Sequence, residues 1–430
     1  MANATDTEST DGIGGSGGTR GTRKALTDPT RRTAAVRIPF PARLSPHAER
    51  ARRHTLSWLL GTGMLDGDAA TAEYDALRLE RLMAYFYPDA KATDLELAAD
   101  FNAWFFIFDD QFDGSLGLRP RAVERLVDLL RRTMDPAGPL PRPRPEPARD
   151  GTEPPLVRGF RDIWLRSTTG APAAWRRRFR GHWLAYMAAH RDEALNRSAT
   201  VLPGLDRFLE VRRHSIGVQP CLDFTERCGG YALPDALHGG SPLREMRQIT
   251  SDVVIFVNDI VSLGKELAAG DVNNSVVVLR EELGCTLDEA VERIARRANT
   301  CCARFAELAA ALPGTLAAAG APAELRGHVE HYVEGMGHLM AGNLAWSLAT
   351  SRYDEQGVAA VSGGRQRPWA HLVAERDGPA AAGDAATAGG GPAPPGATGA
   401  EPGAGHRPGG PLRGSGGARA GQPPSACATV

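Results

Sequence analysis

Apolar residues recur at three- and four-residue spacing through most of the chain, and this periodicity restricts its fold more than any other feature. The spacing places these side chains on one face of an α-helix. Leu79, Leu82, Met83 and Phe86 form one such face. Seven segments share the pattern: 68–86, 93–112, 119–134, 172–197, 243–268, 287–312 and 322–350. Because no strand pattern alternates with these segments, we predict an all-α single domain.

Proline-containing positions separate the predicted helices. We expect breaks at Pro88, 136–155, Pro203, Pro234 and Pro313–Gly314. The segment 135–155 is long for a loop within a compact domain, so it either caps a site or is an insertion.

The two ends of the chain differ in composition from its middle. Between residues 377 and 430, Gly, Pro and Ala fill 38 of 54 positions, so little apolar surface remains to offset the entropy of ordering. Residues 1–35 are similarly rich in Gly, Ser, Thr and Arg. We therefore predict disordered ends at 1–35 and 377–430, and a folded domain at 36–376.

Charge and cysteine content narrow the possible partners and location. The formal net charge is -1, without the basic excess typical of nucleic-acid binders. No apolar run is long enough to span a membrane, and the N-terminus lacks the apolar core of a secretory signal. The six cysteines form no CxxC pair, which predicts reduced thiols and a cytoplasmic protein.

An acidic cluster follows an aromatic stretch between residues 101 and 114. Asp109 and Asp113 are four residues apart, about one helical turn. Neighbouring carboxylates repel each other, and a hard divalent cation such as Mg²⁺ would relieve that repulsion. The alternative is a solvated acidic helix end beside a buried aromatic stripe.

A second polar cluster interrupts an apolar helix. Asn258, Ser262 and Glu266 lie at i, i+4 and i+8, so all three oxygen-bearing side chains share one face. A short central ligand and a long outer one suit this spacing. The alternative is a helix end solvated by Lys265 and Glu266.

Together, the DDxxD motif at 109–113 and the NDxxSxxKE motif at 258–266 resemble the bacterial class I terpene cyclases of the pentalenene-synthase type. The resemblance covers most of 36–360 and includes the opening segment Ile38–His47. It implies a class I terpenoid synthase α-helical bundle around a central active-site cavity.

The resemblance also implies a set of metal ligands. Asp109 and Asp113 would hold two of three Mg²⁺ ions, for which Mn²⁺ can substitute. Asn258, Ser262 and Glu266 would hold the third. Asp110 and Asp259 would instead orient hydrogen-bond donors.

Two further motifs, within Val211–Gly217 and Asn343–Tyr353, agree with the family in order and spacing. Within Val211–Gly217, Arg212 matches the residue that senses the diphosphate, and Ser215 and Ile216 match the linker and effector positions of a helix that breaks on ionisation. Lys265, Arg352 and Tyr353 would join Arg212 in binding the diphosphate.

Three aromatic residues match positions of the family's substrate pocket. Phe105 and Phe106 precede Asp109 by one turn, and Trp346 precedes Arg352. Aromatic faces stabilise a nearby cation. Ordinary core packing is the alternative role for each ring.

The function that the resemblance implies is cyclisation of a linear prenyl diphosphate with release of diphosphate. Farnesyl diphosphate is the favoured substrate and a sesquiterpene the product, by a monomer or homodimer. A diterpene cyclase acting on geranylgeranyl diphosphate and a non-catalytic helical interaction protein are the alternatives. A class II cyclase would need a DxDD acid, but residue 107 is Ile, and prenyl transferases carry a second DDxxD motif.

Overall fold

The periodic segments form α-helices in the computed structural model, which describes residues 28–113, 115–134, 153–198, 202–362 and 365–373. The α-helices are α1 (Pro29–Arg32), α2 (Ala48–Thr62), α3 (Asp68–Ala76), α4 (Glu80–Phe86), α5 (Ala92–Asp110), α6 (Pro120–Thr133), α7 (Pro155–Thr168), α8 (Ala173–Ser198), α9 (Leu205–Ser215), α10 (Val218–Gly229), α11 (Asp235–Gly239), α12 (Ser241–Ala269), α13 (Ser275–Leu283), α14 (Leu287–Ala318), α15 (Ala323–Ala349) and α16 (Glu355–Val361). The described residues contain no strand and fall in one compact unit, which confirms the all-α fold class.

Two of the predicted helix boundaries are wrong for identifiable reasons. The segment 68–86 is two helices, because the chain turns at Arg78, where φ is +51°. The expected break at Pro313–Gly314 is absent, and α14 continues through Pro313. Leu312 and Leu316 remain buried on the same helix face. Packing of that face therefore outweighs the hydrogen bond that proline removes.

The packed chain also begins earlier than residue 36. Residues 28–35, which we expected to be disordered, include α1, with Asp28 accepting a hydrogen bond from the Arg31 backbone N–H as its N-cap. Arg32 is buried and donates to the backbone oxygen of Val261 on α12 at 2.7 Å. Arg32 thus attaches α1 to α12.

Helix α12 lies at the centre of the bundle and packs against α14 and α15. Every residue from Ile249 to Lys265 except Asn258 is buried. A helix that is buried all round needs partners on every side. Polar side chains on such a helix must face one another or a cavity, so this helix places the second polar cluster inside the protein.

Some of the predicted segments lie outside the residues that the structure describes. Residues 1–27, 135–152 and 374–430, which include most of both ends and of the proline-rich loop, lie outside the described ranges. Within the described ranges, no helix is long and apolar enough to cross a membrane. Cys221, Cys228, Cys285 and Cys302 are free thiols.

Candidate active site

One large cavity lies inside the bundle, between α5, α8, α9, α12 and α15. All fourteen predicted site residues line it: Phe105, Phe106, Asp109, Asp113, Arg212, Ser215, Ile216, Asn258, Ser262, Lys265, Glu266, Trp346, Arg352 and Tyr353. The sequence positions are up to 248 residues apart. The fold therefore brings together every residue that the motifs singled out.

Helix α5 carries the first acidic cluster to the cavity. The helix ends at Asp110, so Asp113 lies in the turn that follows rather than on the same helix face as Asp109. Both side chains still line the cavity, and that of Asp109 is 49% exposed. Lys265 on α12 approaches Asp113, with Nζ 3.3 Å from Oδ2. This ion pair joins the turn after α5 to α12.

The three oxygen-bearing side chains of α12 that could bind a metal form hydrogen bonds with different partners. Asn258 accepts a hydrogen bond from Arg212 at 3.1 Å and donates to the Tyr353 hydroxyl at 3.3 Å. The hydroxyl of Ser262 donates to the Asn258 backbone oxygen at 2.8 Å, which leaves its lone pairs available. Glu266 accepts from Asn274 Nδ2 at 2.6 Å through one oxygen.

Burial and neighbouring carboxylates perturb Glu266 strongly. The residue is partly buried and borders the cavity. Loss of solvation, followed by the charges of Asp259 and Asp271, raises the pKa of Glu266 to about 8 against the opposing charge of Arg212. A cation bound beside this carboxylate would remove the cost of ionising it.

Two buried carboxylates face away from the cavity and hold its arginines. Asp259 accepts from Arg212 at 3.0 Å and from the Ser275 backbone N–H at 2.7 Å. Asp110 accepts from Arg352 at 2.7 Å. These contacts agree with the expectation that Asp110 and Asp259 orient donors.

Aromatic side chains line the cavity beside its polar groups. Phe105 stacks on Trp183 with centroids 4.8 Å apart, and Tyr186 meets its edge at 4.3 Å. Phe106 lies beneath the Arg352 guanidinium at 4.9 Å and meets Trp346 at 5.5 Å. Phe105, Phe106 and Trp346 line the cavity and also pack in or against the hydrophobic core.

The chain breaks its helix at the predicted sensing motif. Helix α9 ends at Ser215, Ile216 is its C-cap, and α10 begins at Val218. Gly217 between them has φ +75°, and a Cβ there would lie 3.4 Å from the Phe105 ring. The left-handed backbone at this position favours glycine.

Sequence reasoning missed a charged group on α8 and the loop after α12. Glu193 contacts the Ser215 hydroxyl and lies 3.6 Å from Arg212, and Arg197 pairs with Asp271 at 2.9 Å. His190 lies 3.7 Å from Asp109 through Nε2, while its Nδ1 lies 3.0 Å from the Tyr186 backbone oxygen. The i, i+4 spacing of Glu193 and Arg197 was the only local signal.

The donor set fits a hard divalent cation. The candidate ligands offer carboxylate, amide and hydroxyl oxygens, and none offers sulfur. Among the described residues, no three His, Cys, Asp or Glu side chains converge closely enough to hold an ion unaided. Ligands from outside the protein would have to complete each coordination shell.

Comparison with known proteins assigns the fold and the site to a family. The family profile described as terpene synthase family 2, C-terminal metal binding, matches residues 100–304, which contain both motif-bearing segments. Pristinol synthase from Streptomyces pristinaespiralis is 73% identical over 347 residues, spanning 81% of this chain and 92% of that protein. The chain therefore belongs to the terpene synthase family, whose site binds a divalent metal.

Two more distant relatives agree. A (-)-beta-caryophyllene synthase from Saccharothrix espanaensis, named as cyclising (2E,6E)-farnesyl diphosphate, is 33% identical over 75% of this chain and 90% of that protein. The crystal structure of linalool/nerolidol synthase from Streptomyces clavuligerus matches with a TM-score of 0.63 and 30% identity, over 73% of this chain and 99% of that one. The resemblance to class I terpene cyclases is confirmed.

Proposed function

We propose that this chain ionises farnesyl diphosphate with Mg²⁺ and cyclises the resulting cation to a sesquiterpene. The observation that carries the proposal is the composition of the cavity lining. Its polar part holds the proposed metal ligands and the cations Arg212, Lys265 and Arg352, and its apolar part includes the rings of Phe105, Phe106 and Trp346. A prenyl diphosphate likewise combines a charged head with an apolar chain.

The proposed metal ligands are the two groups facing each other across the cavity. Asp109 and Asp113 would hold two Mg²⁺ ions, and Asn258, Ser262 and Glu266 a third. Bound there, the ions would act as Lewis acids on the diphosphate oxygens and neutralise the leaving group. The carboxylates and the substrate would share coordination, as Mg²⁺ sites with phosphates usually do.

The cations would exchange partners when substrate binds. Lys265 is paired with Asp113 Oδ2, and an ion bound by that carboxylate would take over its charge, so the ammonium could turn toward the substrate. Its ammonium would then donate to the diphosphate. Arg352 and Arg212 are held from behind by Asp110 and Asp259, so they can add donors toward the cavity without losing those partners.

Ionisation breaks the allylic C–O bond, and its electron pair leaves with the diphosphate oxygen. The remaining cation lies against Phe105, Phe106 and Trp346, whose faces stabilise it by about 0.5–2 kcal/mol per contact. Loss of a proton to diphosphate, water or a backbone carbonyl, or capture of water, completes the reaction. Ser215 and Ile216, at the break before Gly217, would couple diphosphate sensing by Arg212 to ionisation of the substrate.

The test is turnover by the purified full chain with Mg²⁺ and geranyl, farnesyl or geranylgeranyl diphosphate, followed by analysis of volatile products. We expect a cyclic C15 product from farnesyl diphosphate. Asp109→Asn should reduce turnover by more than about a hundredfold, because a metal contact contributes several kcal/mol. Asp288→Asn, at an exposed position in the first turn of α14, is the matched control and should retain activity.

The outcomes separate the candidate functions. Preference for geranylgeranyl diphosphate would favour the diterpene alternative. Absence of turnover with all three substrates would refute the cyclase proposal and leave the interaction protein. The cytoplasmic location and the monomeric or homodimeric state remain predictions, for fractionation of the native host and for sedimentation of the purified protein.

A further inference from the structure

The segment 365–373 covers the end of α5 behind the active site. Its Trp369 is 2% exposed, and its Nε1–H donates to Asp110 Oδ2 at 2.9 Å. In the other direction, Gln111 Nε2 donates to the Trp369 backbone oxygen at 2.8 Å. The tryptophan is thus joined to the DDxxD motif by two hydrogen bonds across more than 250 residues of sequence.

Other side chains fix the indole from its remaining sides. Tyr74 meets the ring edge-on, with centroids 5.7 Å apart. Arg367 lies over the ring at 6.0 Å and donates to Glu73 at 2.8 Å. The indole N–H therefore has a defined direction, toward Asp110.

Asp110 shares its two oxygens between Trp369 and the active site. Its Oδ1 accepts from Arg352 NH2 at 2.7 Å, and its Oδ2 accepts both from the indole and from Arg352 NH1 at 3.4 Å. The carboxylate is 1% exposed, so no solvent replaces a lost partner. Removing the indole N–H would free the carboxylate to rotate and would loosen the guanidinium.

We propose that Trp369 is a positioning residue that acts through Asp110 to aim the guanidinium of Arg352 at the diphosphate. The inference rests on the proposed role of Arg352 in holding that group. Arg352 is 2% exposed and lines the cavity above Phe106, so its position is set almost entirely by these contacts. Trp369 itself does not line the cavity.

The experiment measures binding of inorganic diphosphate in the presence of Mg²⁺ by calorimetry on the full chain. Trp369→Phe keeps an aromatic ring against Tyr74 and removes only the N–H donor. We expect the dissociation constant to rise about fivefold to tenfold, because Arg352 keeps its charge and its bonds to Asp110 and loses only part of its orientation. Trp175→Phe is the matched control, because the buried Trp175 donates to the backbone oxygen of Asp223 at 3.0 Å and does not line the cavity.

A purely structural role for Trp369 would lower the melting temperature in both variants and leave diphosphate binding unchanged in both. That result would overturn the proposal. The route through Arg352 is tested in an Arg352→Gln background, where Trp369→Phe should cause no further loss of binding. An equal, additive loss in that background would also overturn it.

The role of Trp369 can be tested even if Trp369→Phe does not fold or the protein has no turnover. If Trp369→Phe does not fold, Gln111→Met removes the second tie to the segment, and a smaller rise in the dissociation constant is expected; no rise would contradict the proposal. Binding of inorganic diphosphate requires no turnover. An inactive wild-type protein would therefore refute the proposed function, while the binding cycle would still decide the role of Trp369.

Discussion

The raised pKa of Glu266 predicts that metal affinity depends on pH near neutrality. The carboxylate must ionise to coordinate a cation, and its pKa of about 8 means that roughly one tenth is ionised at pH 7 in the metal-free protein. At pH 9 ionisation is nearly complete. The half-saturating Mg²⁺ concentration for turnover should therefore fall about tenfold between pH 7 and pH 9.

Glu266→Gln isolates this effect from other titrating groups. The variant cannot ionise at position 266, so it should need more Mg²⁺ at both pH values and should lose most of the pH dependence. Glu324→Gln, at an exposed position in the first turn of α15, is the matched control and should follow the wild type. Equal Mg²⁺ requirements at both pH values in the wild type would refute the reasoning. The same slope in Glu266→Gln would assign it to another group.

The sign of the stability change follows from the same shift. Because folding raises the pKa of Glu266 above its ordinary value of 4.5, its contribution to stability is full below that value and is lost as pH rises through about 8. The melting temperature of the metal-free protein should therefore decline over this range for this reason, and less so in Glu266→Gln. Mg²⁺ should restore more stability at pH 9 than at pH 7.

Three further predictions concern other parts of the site. Arg212→Met leaves the fully buried Asp259 without its guanidinium and should cost about 3–5 kcal/mol in urea unfolding, with partial recovery in Arg212→Lys; unchanged stability would contradict the pairing. Phe106→Leu removes the ring beneath Arg352 and should reduce kcat/KM by about 3- to 30-fold, measured with farnesyl diphosphate; full activity would show that the ring only fills space. A chain ending at residue 376 should retain turnover, whereas one ending at residue 364 loses the segment that contains Trp369 and should not; activity in the shorter chain would show that the segment is dispensable.

The sequence predicted the long helices well because their apolar faces repeat over many turns. Helices α8 and α12 begin and end within two residues of the segments proposed from periodicity. Pro313 was misjudged because a breaker acts locally, whereas burial of the helix face that continues to Leu316 depends on the whole bundle.

The candidate site was predictable only where spacing carried information. Asn258, Ser262 and Glu266 share a helix, so their common face could be read from the chain. Glu193 and Trp369 reach the site through contacts that span 22 and 259 residues, and the i, i+4 spacing of Glu193 and Arg197 does not reveal the contact with Ser215. The shared oxygen of Asp110 likewise exists only once the segment after α16 is folded against α5.

The side chain of Asn274 joins the metal site to the start of a helix. Its oxygen accepts from the Val276 and Val277 backbone N–H groups at 2.8 and 3.4 Å, and its amide nitrogen donates to Glu266 at 2.6 Å and to the Asp259 backbone oxygen at 2.7 Å. One amide thus both caps α13 and orients a proposed metal ligand. Opening of that first turn and loss of the Glu266 orientation are then one event, so the exchange rates of these two amide protons report how often the site is dismantled.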